Sequence, residues 1–275
     1  MPNASLAVAA RLPTVPAMSA NLEARISSAL GWLECAASRP RPAFSSSFGA
    51  EDMVLLDLIV RHALPIDIFT LDTGRLPEET HALMRGIEQR YGHVFTVCFP
   101  EAQAVSQLIA EQGSNGFYES VDKRRACCAV RKVQPLQRAL AGRGAWVTGQ
   151  RAAQSATRTA LQALEPDSRP GVLKVNPLHD WSEDDVWAYL RVHEVPVNAL
   201  HARRFPSIGC APCTRAITAG EDVRAGRWWW EEPGGKECGL HAPAAQPVQA
   251  RRTPVLAGEQ GVQPAPNSEG VLHGS

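Results

Sequence analysis

At 275 residues the chain is long enough to bury a large core, and its 44% hydrophobic and 20% charged residues are those of an ordinary soluble protein. Its 28 basic and 28 acidic side chains cancel, which argues against a nucleic-acid polymer as partner and requires any anion site to be built locally. No apolar run approaches the ~18–20 residues that span a bilayer, and the start "MPNASLAVAARLPTVPAMSA" lacks the basic-then-apolar order of a targeting segment.

After an N-terminal extension over 1–20, Leu22, Ile26, Leu30 and Leu33 recur at helical spacing and predict a helix over 22–39. "PAFSSSFG" predicts a short strand entering a polar loop, and "DMVLLDLIVRHAL" an apolar helix. "IDIFTLDTG" (66–74) predicts a strand closed by a glycine turn. "PEETHALMRGIEQRYG" opens with Pro77 and an acidic first turn and stops at Gly92, as helices do. "HVFTVCFP" predicts a third strand and 101–112 a helix; the cysteine pair at 127–128 then opens a helix through Leu140. "AWVTGQR" and "VLKVNPL" predict two further strands, and "SEDDVWAYLRVHEV" a helix in which Ser182 and Asp185 match a capping box.

Strands alternating with helices predict an α/β fold with a doubly wound, mainly parallel sheet. Regularity fades beyond about residue 195, leaving an irregular C-terminal segment with a mobile part at about 220–241. From Ala242 the Ala, Pro, Gln and Gly content predicts a disordered tail.

"RRACCAVRK" (124–132) places Cys127 beside Cys128 in a basic setting, and "SIGCAPCTRA" adds a C-x-x-C pair at Cys210 and Cys213. Four thiols in two pairs hold structural zinc or an iron–sulfur cluster, while a redox dithiol or inert cysteines are the blander readings. Adjacent residues reach one tetrahedral zinc awkwardly; a cubane spreads its ligands over four irons. Spacing alone does not choose between the metals. Lys132, four residues after Cys128, shares its helical face and would answer a cluster's negative charge, or simply be solvated. All seven cysteines, an odd number in a large chain, fit a reducing cytoplasm better than disulfides.

"SSSFGAED" (45–52) lies between a strand and a helix, where Ser46, Ser47 and Gly49 would let backbone N–H groups approach an anion. It is neither a Walker loop nor G-x-G-x-x-G. "LDTGR" closes the next strand and faces the same crevice, with Asp72 or Thr73 aimed at a ribose, or Asp72 merely stabilising its turn. "GGKECGLH" sets Cys238 among glycines near His241, as a reactive thiol, a fifth metal ligand or an incidental cysteine. An ordinary thiol is only ~10% thiolate at pH 7.5 and full ionisation adds less than tenfold, so placement must supply most of any acceleration. Arg158, Arg224 and Arg227 are further cations for an anion site. Trp228, Trp229 and Trp230 read as core before nucleobase platform.

Together "SSSFGAEDMVL", "LDTGRLPEET", "ACCAVRKVQPL", "TGQR…QSATR", "PSIGCAPCTRA" and "KECGLH" resemble the assimilatory adenylyl-sulfate reductases, the iron–sulfur branch of the phosphoadenylyl-sulfate reductase family, over about residues 40–241. The resemblance implies a sheet of the adenine nucleotide alpha-hydrolase-like (PP-loop) type and one reductase domain over 21–241. It implies thioredoxin- (or glutaredoxin-) dependent reduction of adenosine 5′-phosphosulfate to sulfite and AMP in the cytoplasm, for sulfate assimilation and cysteine synthesis. It assigns Cys127, Cys128, Cys210 and Cys213 to one [4Fe–4S] cluster per chain and Cys238 to the nucleophile that becomes an S-sulfocysteine. Ser46, Ser47, Gly49, Asp72, Lys132, Arg158, Arg224, Arg227 and His241 fall to substrate binding. A homo-oligomer is compatible; nucleic acid and membrane are not expected.

Ala152 and Ala153 depart from that pattern, where a basic–acidic pair is expected, as does Arg204, where glycine is expected. The alternatives are a phosphoadenylyl-sulfate reductase, which takes the 3′-phosphorylated nucleotide, an ATP-using adenylylating or thiolating enzyme of the same fold, against which the missing S-G-G-x-D-S loop argues, and a zinc-stabilised binding module without enzymatic activity.

Overall fold

In the computed structural model, residues 20–154, 161–169 and 171–232 are described. The expected extension, the tail beyond Ala242 and the far part of the 220–241 segment lie outside them. The elements in chain order are α1 (Ala20–Ala37), β1 (Ala43–Ser46), α2 (Ala50–Arg61), β2 (Asp67–Leu71), α3 (Glu78–Tyr91), β3 (Phe95–Cys98), α4 (Ala102–Gln112), α5 (Val121–Cys128), α6 (Gln134–Leu140), β4 (Ala145–Val147), β5 (Leu164–Pro166), β6 (Leu173–Val175) and α7 (Glu183–Val192).

The sheet runs β3-β2-β1-β4-β6-β5, with every pairing parallel except β5 on β6. Period-two alternation feeds two cores. Phe44, Ile68, Ala145 and Val147 join the core that includes Leu33, the apolar side chains of α2 and Val186 and Leu190 of α7. Ala43, Phe69 and Trp146 join Leu136 and Leu140 of α6 in the other. Both faces are covered, as expected of a doubly wound sheet.

Asp57 lies buried on α2 and accepts hydrogen bonds from Tyr91 Oη (2.8 Å), Tyr189 Oη (2.6 Å) and Arg61 Nε (3.2 Å), so α2, α3 and α7 are tied by one satisfied carboxylate. The capping box on α7 forms as expected, with Ser182 Oγ accepting from Asp185 N at 3.1 Å. Gly92 ends α3 at φ +79°, a conformation that favours glycine.

Two expectations are corrected. The cysteine pair does not open its helix: α5 starts at Val121, capped by Ser120 Oγ, and the cysteines occupy its last turn. Between α5 and α6 the helix widens into a π turn over Ala129–Val133, closed by Gln134 N donating to Ala129 O. Pro135 accounts for the break in register, because it has no N–H to offer Arg131 O and its ring crowds that carbonyl. β5 was not expected from sequence. It is an edge strand ending at Pro166, which needs no ladder partner there.

Among the described residues no helix is long and apolar enough to cross a membrane.

Candidate active site

The carboxyl ends of β1, β2 and β4 meet where strand order reverses, and a cavity of about 920 Å³ opens there. Its walls include Ser45–Ser47, Gly49–Asp52, Thr70, Leu71, Thr73, Gly149–Arg151, Lys132, Arg204, Arg224 and Arg227.

The serine loop is tightly self-bonded. Ser46 Oγ accepts from Phe48 N at 3.1 Å. Ser47 directs both its N–H (2.6 Å) and its hydroxyl (2.7 Å) at Asp52 Oδ2, so an anion meeting Ser47 must compete with this carboxylate. Burial pushes the Asp52 carboxyl up to about 6, and the Ser47 bonds only partly offset that. Gly49 is the N-cap of α2 with no side-chain cap, leaving the first-turn N–H groups open toward the cavity. A Cβ at Gly149 would collide with the Asp52 carboxylate, so glycine is needed where β4 ends.

Asp72 does not reach this cavity. Its Oδ1 accepts from Gly74 N at 2.8 Å in the turn itself, and Oδ2 lies 3.9 Å from His81 Nε2. The turn-stabilising reading is the one observed, and Thr73 is the loop residue that lines the cavity.

A second, smaller recess adjoins, and all four cysteines line it: Cys127 and Cys128 from α5, Cys210 and Cys213 from the loop after α7. Cys210–Cys213 form a single 3-10 turn containing Pro212, with Cys213 N on Cys210 O at 2.9 Å. Two contacts hold this turn to "LDTGR", and a third holds the π turn there. Ala211 N donates to Arg75 O (2.8 Å), Thr73 Oγ1 lies 3.2 Å from Cys210 Sγ, and Arg131 Nη1 donates to Thr73 O (2.7 Å). Phe117 and Trp228 close the recess with apolar surface.

Burial raises the Cys127 thiol, and burial followed by the charge of Cys210 raises Cys213 to about 12. Cys210 is also buried, yet Lys132, the Thr73 hydroxyl, Arg227 and Arg131 together bring it below its ordinary value. Lys132 is the largest of these favourable influences. It lines both cavities, as does Arg227, and so stands at their junction. Arg227 is 7% exposed; its guanidinium lies over Trp228 (4.7 Å) and packs where a Cβ at Gly209 would clash. Arg224 lines the large cavity, half-buried.

Sequence reasoning missed several residues. Arg124 and Glu231 form a buried pair (Nε–Oε1 2.8 Å, Nη2–Oε2 2.7 Å), and Arg124 lies 4.6 Å over Trp228. Trp228 is core, as expected, whereas Trp229 is exposed. Gln150 was missed as well, although its place at the end of a strand was a usable signal. Arg204 takes φ +66°, which explains why glycine is expected there, and it lines the cavity. Arg158, Cys238 and His241 lie outside the described residues.

No group of three or more His, Cys, Asp or Glu among the described residues is spaced to hold a single metal ion. Four sulfur donors on one shared recess, beside Lys132 and four arginines, are the donor chemistry of an anionic thiolate cluster. They fit that group.

The comparisons agree with this geometry. Residues 41–216 match the family model of the phosphoadenosine phosphosulfate reductase domain, which stops short of Arg224 and Arg227. The adenosine 5′-phosphosulfate reductase of Allochromatium vinosum is 57% identical over 213 residues, covering 78% of this chain and 83% of that protein. The protein of the same name from Burkholderia cepacia is 55% identical over 207 residues, covering 75% and 83%. The crystal structure of a phosphoadenylyl-sulfate reductase from Candida auris, in a phosphate complex, superposes with a TM-score of 0.59 at 25% identity, covering 74% of this chain and 99% of that one.

Proposed function

From the premise that the chain belongs to the phosphoadenosine phosphosulfate reductase family of oxidoreductases, we propose that it reduces adenosine 5′-phosphosulfate to sulfite and AMP for sulfate assimilation, in the reducing cytoplasm. One observation carries this reading: the four-cysteine recess and the large strand-end cavity meet at Lys132 and Arg227.

Cys127, Cys128, Cys210 and Cys213 would hold a [4Fe–4S] cluster, which when bound supplies a compact negative charge beside the substrate site. Lys132 and Arg227 then hold the phosphosulfate at the junction, with Arg224 on the adjacent wall and Arg158 and His241 as further candidates. Cys238 thiolate attacks the sulfur, the S–O bond to the phosphate breaks and AMP leaves with that electron pair. A dithiol protein, thioredoxin or glutaredoxin, attacks Sγ of the resulting S-sulfocysteine. Sulfite departs, and the second thiol of that protein resolves the mixed disulfide and returns Cys238 to its thiol. The dithiol supplies both electrons.

Anaerobic protein incubated with the nucleotide but no reductant should carry one sulfonate on Cys238 by mass spectrometry, with about four irons and four sulfides per chain. Cys238→Ser should keep the iron and release no sulfite. An adduct on Cys35 or Cys98, or stoichiometric zinc without a chromophore, would remove this reading.

Arg204 favours a second reading, the 3′-phosphorylated nucleotide as substrate. Its guanidinium makes no hydrogen bond or ion pair with the described residues while lining the cavity, and a buried extra phosphate needs such a cation. Beside "LDTGR" the two described arginines are engaged: Arg75 donates to Asn115 Oδ1 (3.1 Å) and to Ser114 O and stacks on Phe117, and Arg131 donates to Thr73 O (2.7 Å). We expect kcat/KM for adenosine 5′-phosphosulfate to exceed that for the 3′-phosphorylated form by at least ~100-fold, about 2.7 kcal/mol. Equal or reversed rates of sulfite release decide for the second reading.

A further inference from the structure

Gln150 is 6% exposed, lies three residues after the end of β4 and lines the large cavity. Its Oε1 is buried without a hydrogen-bond partner, and no other described group bonds its carboxamide. A buried amide left unpaired is costly, because it has given up water without gaining a partner. Its backbone is held: Gln150 N donates toward Thr148 Oγ1 at 3.4 Å, and Thr148 is itself fixed to Asn176 (2.6 Å). The side chain is therefore placed in the cavity wall with its polar end uncommitted. Among the described residues that line the cavity, no other side-chain amide is both buried and left without a partner.

The surroundings say what kind of group it meets. The preceding glycine abuts the Asp52 carboxylate. The following residue, Arg151, is paired with Glu51 (Nη2–Oε1 2.7 Å) and also donates to Trp181 O. Two carboxylates thus flank Gln150, and its one cationic neighbour is neutralised. Lys132 and Arg227 line both recesses, whereas Gln150 lines only the large one. An anionic phosphosulfate belongs at the former and is repelled at the latter. The neutral half of a nucleotide is what remains.

Resting on the nucleotide reading above, we infer that Gln150 is a specificity-determining residue that accepts a hydrogen bond from a neutral donor of the nucleoside, a sugar hydroxyl or the base amine. It touches no reacting atom. Its role is to fix the nucleoside so that the phosphosulfate reaches the Lys132–Arg227 junction. A site with a buried amide waiting for such a donor discriminates strongly against analogues that lack it.

The test is calorimetric binding of AMP, 2′-deoxy-AMP, 3′-deoxy-AMP and IMP to the anaerobic full-length protein, wild type, Gln150→Leu and Gln150→Asn. Wild type should bind one of the three analogues at least ~10-fold more weakly than AMP. Gln150→Leu should weaken AMP by a similar factor and leave the affinity for that one analogue within ~2-fold of wild type. The identity of the analogue tells sugar hydroxyl from base amine. Gln150→Asn, too short to reach, should behave like Leu while retaining a polar end, which separates reading from simple packing. Equal loss for every nucleotide on substitution, no loss at all, or no AMP binding by wild type overturns the inference. AMP binding with no sulfite release would instead remove the reductase reading and leave this one standing.

Discussion

At one end of the large cavity the side chains stand on strand ends and on the first turn of α2; at the other they stand on a widened helical turn and on loops. Glu51, Asp52, Gln150 and Arg151 stand on or beside the ends of the parallel sheet, with Arg151 paired to Glu51 and Asp52 bonded to Ser47. Lys132 comes from the π turn, while Arg224, Arg227 and two of the four cysteines come from chain beyond α7. That end gathers cations and thiols that the sheet does not hold in place. It is held by a few long-range contacts instead, and so it should fail abruptly where the other end yields by degrees.

The buried Arg124–Glu231 pair is the sharpest place to break that contrast. Glu231→Gln or Arg124→Met alone should cost about 3–5 kcal/mol, because either leaves a buried charge without its partner. The double variant Arg124→Met/Glu231→Leu should recover most of it. Denaturant midpoints of anaerobic protein would measure both, and equal losses in single and double variants would show that packing on Trp228, rather than charge, holds this end.

Lys132→Ala should come next, at ~100-fold in kcat/KM or about 2.7 kcal/mol of transition-state stabilisation, with the melting temperature nearly unchanged. A drop in stability with unaltered kinetics would assign Lys132 to the scaffold. At the sheet-built end the effect is smaller and depends on pH. Burial lifts the Asp52 carboxyl from 3.8 to about 6, so the folded protein holds that proton more tightly than the unfolded chain. The resulting stabilisation is complete below about pH 4 and is lost as pH rises through about 6. Asp52→Asn, which cannot ionise, should therefore gain on the order of 2 kcal/mol over wild type between pH 4.5 and 7.5. A constant difference across that range would mean Asp52 titrates normally. Smallest of all, Arg204→Gly should raise stability by about 0.5–1 kcal/mol by removing a left-handed arginine. Thermal melts of the two proteins would show it.

The same division governs what the sequence made legible. Apolar periodicity and turn chemistry placed β1 to β4, β6 and the helices from α1 to α4, because local pattern and burial agree there. The capping box at Ser182 is readable for the same reason. The start of α5 was missed although Ser120 is a good N-cap, since the cysteine pair drew the boundary toward itself. For Asp72 the sequence leaves a ribose contact and a turn-stabilising carboxylate both open; the structure shows the turn contact, with the carboxylate accepting from the backbone N–H two residues on. Gln150 escaped notice because an amide neither titrates nor binds metal. Arg124 and Glu231 are 107 positions apart, and no local pattern connects them. The two spacings group the four cysteines, and all four line one recess.

That separation has a consequence in time. Cys127 and Cys128 leave the ribosome 85 residues before Cys213, which at about 5–20 residues per second is an interval of roughly 4–17 s. During it the first two thiols stand in a nascent chain whose other pair has not been made. Glu231, which fastens the surrounding wall, comes 18 residues later still. The recess is therefore one of the last parts of the described fold to be completed, after translation has passed the sheet. Oxygen or a stray metal met in that window acts on half a site, so the yield of competent protein should depend on how reducing the compartment is while the chain is being made.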